Sequence, residues 1–277
     1  MSAPPRLSVV VPAFNNGRTI RETLESILDQ EGVDFELIIA DHASPDDTRE
    51  VMEEFAGDAR VTLLDTPAGG GAPRNWNRVT EAATGEYVKL VCGDDVLRPD
   101  VLARQVHLLT ESGGILTACR RDIIDSDGRT LMKGWGLRGL DSRMSGRQAA
   151  RLAVRAGSNL FGEPASVTMR RDALVDAGGW SPDFPYLIDQ ATYSRVLLRG
   201  DFVPDLEVGA TFRMSTGQWS VALSNDQASQ ARGFHHWLRS AHPDVLSAGD
   251  VRIGDARATL MAHARRASYW VLKRRMR

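Results

Sequence analysis

The chain has 277 residues, 42% of them hydrophobic and 25% charged, with a formal net charge of −2. That balance is ordinary for a globular protein with ample apolar core, and it excludes a global attraction to nucleic acid or another polyanion. Only Cys92 and Cys119 are available as thiols, both in apolar runs, so a reduced cytosolic setting is expected over a disulfide scaffold, and no Cys/His cluster has zinc-site spacing. The N-terminal "MSAPPRLSVVVPAF" carries too short an apolar run for a signal-peptide core, and no window approaches a membrane span. A soluble enzyme is the default expectation.

In chain order, "LSVVVPAF" is a continuous apolar run, as expected of a strand buried on both faces. In "NNGRTIRETLESILDQEG", Thr19 and Glu22 have capping-box spacing, and Ile20, Leu24, Ile27 and Leu28 share one helical face. "FELIIAD" is a second strand. "SPDDTREVMEEF" offers Ser44 as an N-cap with Pro45 at the first helical position. "RVTLLD" follows as a strand, residues 73 to 83 as a helix, "EYVKLVC" as a fourth strand, residues 100 to 112 as a helix and "GILTACR" as a strand. Such alternation predicts a mostly parallel sheet covered on both sides.

After residue 120 the rhythm changes. "DSDGRTLMKGWGLRGLDS" reads as a mobile glycine-rich loop, "NLFGEPASVTMRRDALVDAGGW" as strand, helix and glycine turn, and "LIDQATYSRVLLRG" as a helix stopped by Gly200. Beyond "DLEVGATFRM" the remainder reads as helical.

In an open parallel sheet, ligands bind outside the carboxyl ends of the strands. Those ends carry Asn15 and Asn16, Asp41 and His42, and Asp94 and Asp95. The pair in "KLVCGDDVLRPD" sets two like charges side by side, which a hard divalent cation bridging a diphosphate would make favourable. Solvated loop aspartates are the plain alternative. The glycine run in "PAGGGAPRN" lets backbone approach a ligand, but it lacks both the P-loop and the dinucleotide pattern.

Four segments in order, "SVVVPAFNNGRTIRETLESILDQ", "FELIIADHASPDDT", "GGGAPRNWNRVTEAATGEYVKLVCGDDVLRPD" and "GGWSPDF...IDQATYSRVLLRG", resemble the family 2 glycosyltransferases over about residues 6 to 215. The resemblance implies the GT-A fold, a three-layer α/β/α sandwich around a mostly parallel Rossmann-like sheet. The expected layout is a glycosyltransferase domain over 1–215, with a nucleotide-binding half about 6–120 and an acceptor-binding half about 121–215. A C-terminal helical extension over 216–277 follows. The implied activity is inverting transfer of a sugar from a nucleoside-diphosphate donor to an acceptor hydroxyl of a sugar, lipid-linked sugar or small molecule, with Mg²⁺ or Mn²⁺ as cofactor.

Carried onto this sequence, the resemblance places Pro12, Ala13, Phe14 and Asn15 at the nucleotide base, with Asp41 hydrogen-bonded to the base and His42 beside it. Arg74 and Asn75 fall near the ribose or phosphates. Gly93 and Asp94 match the DXD-type motif, Asp94 as metal ligand with Asp95 adjacent. Asp189 matches the general base, and Trp180 faces the sugar or acceptor. Core packing for Trp180, a helix-end charge for Asp189, a turn cap for Asp41 and a surface position for Arg74 are the structural alternatives. Three departures stand out: His42 and Ile188 where acids are usual, and Cys92 where the motif's first aspartate is usual. They motivate a second reading, a catalytically impaired nucleotide-binding or scaffold member. A sugar nucleotidyltransferase is a third, disfavoured because "PAFNNGRT" lacks basic residues in a phosphate loop. "MSTGQWS", Met214 to Ser220, resembles a loop that closes over the donor diphosphate.

From Val251 on there are eight Lys and Arg against one acid, Asp255, with Leu260, Ala264, Ala267 and Val271 at helical spacing and Tyr269 and Trp270 nearby. Two readings stay open: a basic helix at an anionic membrane surface, as at the inner membrane face, or a terminal helix packed on the domain or on a second subunit of a homodimer.

Overall fold

The computed structural model describes residues 5–214 and 226–275, with side chains as far as residue 263. Its first half runs β1 (Leu7–Ala13), α1 (Ile20–Leu28), β2 (Phe35–Asp41), α2 (Thr48–Glu53), β3 (Val61–Asp65), α3 (Gly71–Glu81) and β4 (Tyr87–Leu90). β1 pairs in parallel with β2 and β4, and β2 with β3, so these four strands end on one edge. Successive residues of β1 feed opposite cores: Val9 and Val11 pack with Ile20, Leu24 and Leu37 on one face, and Val10 with Ile38, Leu90 and Leu174 on the other. Two covered faces explain why the strand reads as an unbroken apolar run instead of an alternation.

The chain continues with β5 (Val96–Leu97), α4 (Val101–Ser112), β6 (Leu116–Ile124), β7 (Thr130–Trp135), β8 (Met144–Ser145), α5 (Gly146–Ala156), β9 (Val167–Arg170), α6 (Arg171–Asp176), α7 (Ile188–Leu197) and β10 (Asp201–Arg213). The sheet order is β3-β2-β1-β4-β9-β6-β10-β5. β9 is antiparallel to both β4 and β6, so β4 and β6 point the same way although they do not touch. The parallel character therefore belongs to the first four strands and the β6–β10 pair, and the rest of the sheet is mixed.

Several local expectations need correction. The supposed mobile loop after residue 124 holds β7, which folds back antiparallel on β6. Gly134 and Gly136 hid it, because glycine-rich stretches read as turns when no partner strand is in view. Ser44 does not cap α2, which begins only at Thr48. Its hydroxyl instead accepts a hydrogen bond from the Asn15 amide at 3.0 Å. Thr19 and Glu22 form no capping box either: the Thr19 hydroxyl donates to the Gly93 carbonyl at 2.8 Å, and Glu22 accepts from Arg213 at 2.6 Å. Both residues are drawn into contacts across the edge where the strands end.

α8 (Gln227–Ala241) and α9 (Ala248–Arg275) form the helical C-terminal part. The expected boundary near 215 and the "MSTGQWS" segment lie outside the described residues, apart from Met214. The first half of α9 docks on α5. Buried Asp250 is held by Arg151 at 3.0 Å and Arg155 at 2.5 Å, while Phe234, Leu238, Val251 and Ala258 share a core with Val154 and Ala191. Leu260 is 68% exposed, so the apolar spacing read from Leu260 onward does not begin on the docked face. Tyr269, Trp270, Ala264, Ala267 and Val271 lie outside the described side chains. Among the described residues no helix is long and apolar enough to cross a membrane.

Candidate active site

β1 and β2 end level with one another, Ala13 opposite Asp41. Pro12 and Ala13 are buried in the sheet, so they form a floor and do not line a pocket; Phe14, 53% exposed, is the side chain that this end presents. Its ring meets His42 edge-on at 6.0 Å, and His42 Nε2 donates to the Gly69 carbonyl at 2.9 Å. The turns after both strands hold non-glycine residues at positive φ, Asn15 at 56° and Ala43 at 53°. Ala43 has no polar side chain to compensate, and such conformations persist where surrounding contacts over-determine the backbone. Asp41 accepts from the Ser44 amide at 3.2 Å through Oδ2, while its buried Oδ1 has no partner. An unspent buried acceptor is costly, and a ligand N–H would satisfy it.

Gly69, Gly70 and Gly71 take φ of 90°, 77° and 62°, a left-handed run that leads into α3. Arg74, exposed on the first turn, donates to the Ala68 carbonyl at 3.1 Å. Asn75 departs from its expected ligand role. It is 2% exposed, its amide donates to the Ala13 and Ala40 carbonyls at 3.2 Å each, and its oxygen accepts from Thr66 at 2.6 Å. These bonds pin α3 to the ends of β1 and β2 and leave the side chain no exposed group for a ribose or phosphate.

The turn after β4 brings Gly93, Asp94 and Asp95 to the same edge. A Cβ on Gly93 would stand 2.6 Å from Asn16 Oδ1, so a side chain there would displace Asn16 from the turn after β1. Asp94 is half-buried, and Asp95 is 1% exposed. Burial, reinforced by the Asp94 charge, pushes the Asp95 carboxyl well above the usual range. Arg213, at the end of β10, donates from Nε to the Asp94 carbonyl at 3.1 Å and from its amide to Asp95 Oδ1 at 3.2 Å, while Asp95 Oδ2 is buried without a partner. The positive group that the doubled aspartate called for is thus partly supplied by the protein, in an Arg213 guanidinium that also pairs with Glu22 at 2.6 Å.

Asp189 opens α7. Asn159 Nδ2 donates to its Oδ2 at 2.8 Å, and the Gln190 amide to its Oδ1 at 2.6 Å. Burial, and after it the Glu163 charge, outweigh these bonds and push the carboxyl up to about 6. Glu163 is paired with Arg121 of β6, which is itself 4% exposed. Cys92 feels the charges of both parts of the site: burial raises its thiol well above the ordinary value, and Asp95, Asp94, Asp189 and Glu163 all add to the effect. Tyr193, one turn beyond Asp189, is raised by burial and then by Asp189, and its buried hydroxyl has no partner.

Trp180 does not face an acceptor. It is 1% exposed, its indole N–H donates to Thr80 at 2.9 Å, and its ring packs edge-on against Trp76 at 5.0 Å. Asn159, Glu163, Arg121 and Arg213 escaped sequence reading because none sits in a local pattern. Each arrives from an element far away in the chain, and only the position of "FGEP" before a strand signal hinted at a loop on this edge.

The donor set suits a hard divalent cation. Asp94 and Asp95 offer carboxylate oxygens, and the orphaned Asp95 Oδ2 is an acceptor that a cation would satisfy. Among the described residues no three His, Cys, Asp or Glu side chains gather as a complete ligand set. A cation here would therefore take its remaining oxygens from water and a bound diphosphate, as Mg²⁺ and Mn²⁺ sites with few protein ligands do.

Residues 8–177 match the model of glycosyl transferase family 2. An uncharacterized protein of Mycobacterium tuberculosis is 35% identical over 212 residues, covering 73% of this chain and 66% of its own length. The putative teichuronic acid biosynthesis glycosyltransferase TuaG of Bacillus subtilis is 30% identical over 130 residues, 47% of this chain and 52% of the relative. The matched stretch spans at most 66% of these relatives. S. aureus TarS (1–349) in complex with UDP-GlcNAc superposes with a TM-score of 0.66 at 18% identity, covering 84% of this chain and 66% of that one. The mannosyltransferase PcManGT of Pyrobaculum calidifontis, in complex with GDP-Man and Mn²⁺, gives 0.59 at 19% identity, covering 98% and 81%.

Proposed function

This chain belongs to glycosyl transferase family 2, and from that premise we propose that it moves a sugar from a nucleoside-diphosphate donor to an acceptor hydroxyl with inversion at the anomeric carbon, in polysaccharide, glycolipid or glycoconjugate assembly. The observation that carries this reading is the Asp189 carboxyl, raised to about 6 by burial on the same edge as the Asp94–Asp95 turn. A carboxylate with that affinity is ionised for most of the time at neutral pH yet holds a proton better than an ordinary one, which suits a general base. The acceptor O–H gives its proton to Asp189 as the new C–O bond forms. The bond to the diphosphate breaks on the opposite face, and one displacement inverts the centre. Asn159 and the Gln190 amide hold the carboxylate in place while it works.

Phe14 offers its exposed face to the donor's base, the unpaired Asp41 Oδ1 accepts from it, and Arg74 lies near the diphosphate. Asp94 with Asp95 would hold Mg²⁺ or Mn²⁺, which as a Lewis acid stabilises the charge that gathers on the leaving diphosphate. The complexes of the structural neighbours with UDP-GlcNAc, and with GDP-Man and Mn²⁺, support a donor of this class.

The test incubates the chain with UDP- and GDP-linked sugars, Mn²⁺ and aryl-glycoside acceptors. NMR then identifies the released nucleotide and the anomeric configuration of the product. Release of the nucleoside diphosphate with an inverted linkage is expected. Pyrophosphate release would indicate nucleotidyl transfer, and no turnover of any donor would point to a binding member of the family.

A further inference from the structure

β7 carries exposed apolar side chains: Trp135 is 53% exposed, Leu131 44% and Met132 40%. Among the described residues the Trp135 indole makes no ring contact and its N–H has no hydrogen-bond partner, in contrast to the buried, fully engaged Trp180. An indole left in water forgoes a large burial gain, so its exposure asks for a use.

Its placement supplies one. Trp135 stands directly opposite Arg121 in the β6–β7 ladder, and residues opposite one another across antiparallel strands project to the same face. Arg121 Nη1 donates to the Trp135 carbonyl at 3.4 Å, and the same guanidinium pairs with Glu163, whose charge acts on Asp189. Two residues further on, the Leu137 amide donates to the Leu160 carbonyl at 3.0 Å, next to the Asn159 that holds Asp189. Gly136 at φ 118° and Leu137 at φ 55° force the chain through this narrow exit. A Cβ on Gly136 would stand 2.6 Å from Arg121 Nη1. Trp135 is therefore tied on both sides to the loop that carries the base's partners.

We infer that Trp135 is the platform on which a pyranose ring of the acceptor stacks, presenting a hydroxyl toward Asp189; the inference rests on the transferase reading above. The apolar C–H face of a pyranose matches an indole face, and the unspent indole N–H can donate to a ring hydroxyl. The acceptor class so defined is a carbohydrate, held first by its ring and only then by its hydroxyls.

Two measurements separate this inference from the reading beneath it. In steady-state transfer to aryl glycosides, Trp135→Ala should raise the acceptor KM roughly tenfold while the donor KM stays within about twofold, and Trp135→Phe should recover most of the loss. An unchanged acceptor KM, or a donor KM that rises in parallel, overturns it. If the wild type turns over no donor, the transferase reading fails alone. Saturation-transfer NMR with methyl glycopyranosides then decides the platform. Signals present in the wild type and lost in Trp135→Ala sustain it, whereas equal signals, or none in the wild type, overturn it.

Discussion

Asp189 and Lys89 show burial acting on charge with opposite signs. For Asp189, burial raises the carboxyl to about 6, so a general base there is disabled below that pH, and transfer should rise as pH climbs through about 6. Glu163→Gln removes a negative neighbour and should move that acid limb to lower pH; Asn159→Ala removes a donor to the ionised form and should move it higher. Asp189→Asn should cost about 10²–10⁴ in rate at neutral pH. pH–rate profiles of the four proteins check all four statements. Lys89 is wholly buried, donating to Gln105 at 2.9 Å and to the Val167 carbonyl at 3.4 Å, and burial lowers it to about 8. Its folded value lies below its unfolded one, so between roughly pH 8 and 10.5 the unfolded chain binds more protons and stability rises with pH. Denaturant unfolding should show that rise, of the order of a few kcal/mol, and Lys89→Met should abolish it.

The elements were legible wherever their signal was local. β1, β2 and α1 announced themselves by apolar runs and helical spacing, and the carboxyl-edge rule brought Asp41, His42, Asp94 and Asp95 to one side. Contacts made across the fold were not legible. β7 is a strand only because β6 offers it a ladder, and Ser44 and Thr19, which fit capping patterns, are used instead to bind neighbouring turns. The same holds for Asn75, for which the family resemblance implied ligand contact while its amide in fact ties α3 to β1 and β2. Asn75→Ala takes a partner from the Thr66 hydroxyl and the Ala40 carbonyl, while the Ala13 carbonyl keeps its bond from the His42 amide. At about 1–3 kcal/mol for a buried group so stranded, denaturant unfolding should show a loss in that range, whereas Arg74→Ala, on the exposed neighbour, should leave stability within about 0.5 kcal/mol.

On the scale of the whole molecule, the C-terminal helices are joined to the sheet domain largely through α5 and α7. Burial disfavours the Asp250 carboxylate, yet bonds from Ser247, Arg155 and Arg151 hold it well below the usual range, so its contribution is present at neutral pH and fades in strong acid. Asp250→Ala should lower the melting temperature by several degrees and loosen α9 to hydrogen exchange, with the sheet's amides still protected. On the proposed reading, the ends of β1, β2 and β4 gather around one nucleotide and one cation. That claim is tested most directly by thermal shift with uridine, guanosine and thymidine diphosphates, with and without Mn²⁺, in the wild type and in Asp94→Ala. A nucleotide at a hundred times its dissociation constant adds about 2.7 kcal/mol to the folded state. The account predicts a clear rise in melting temperature for at least one diphosphate, present only with Mn²⁺ and lost in Asp94→Ala; no rise with any of them in the wild type, metal present, would contradict it.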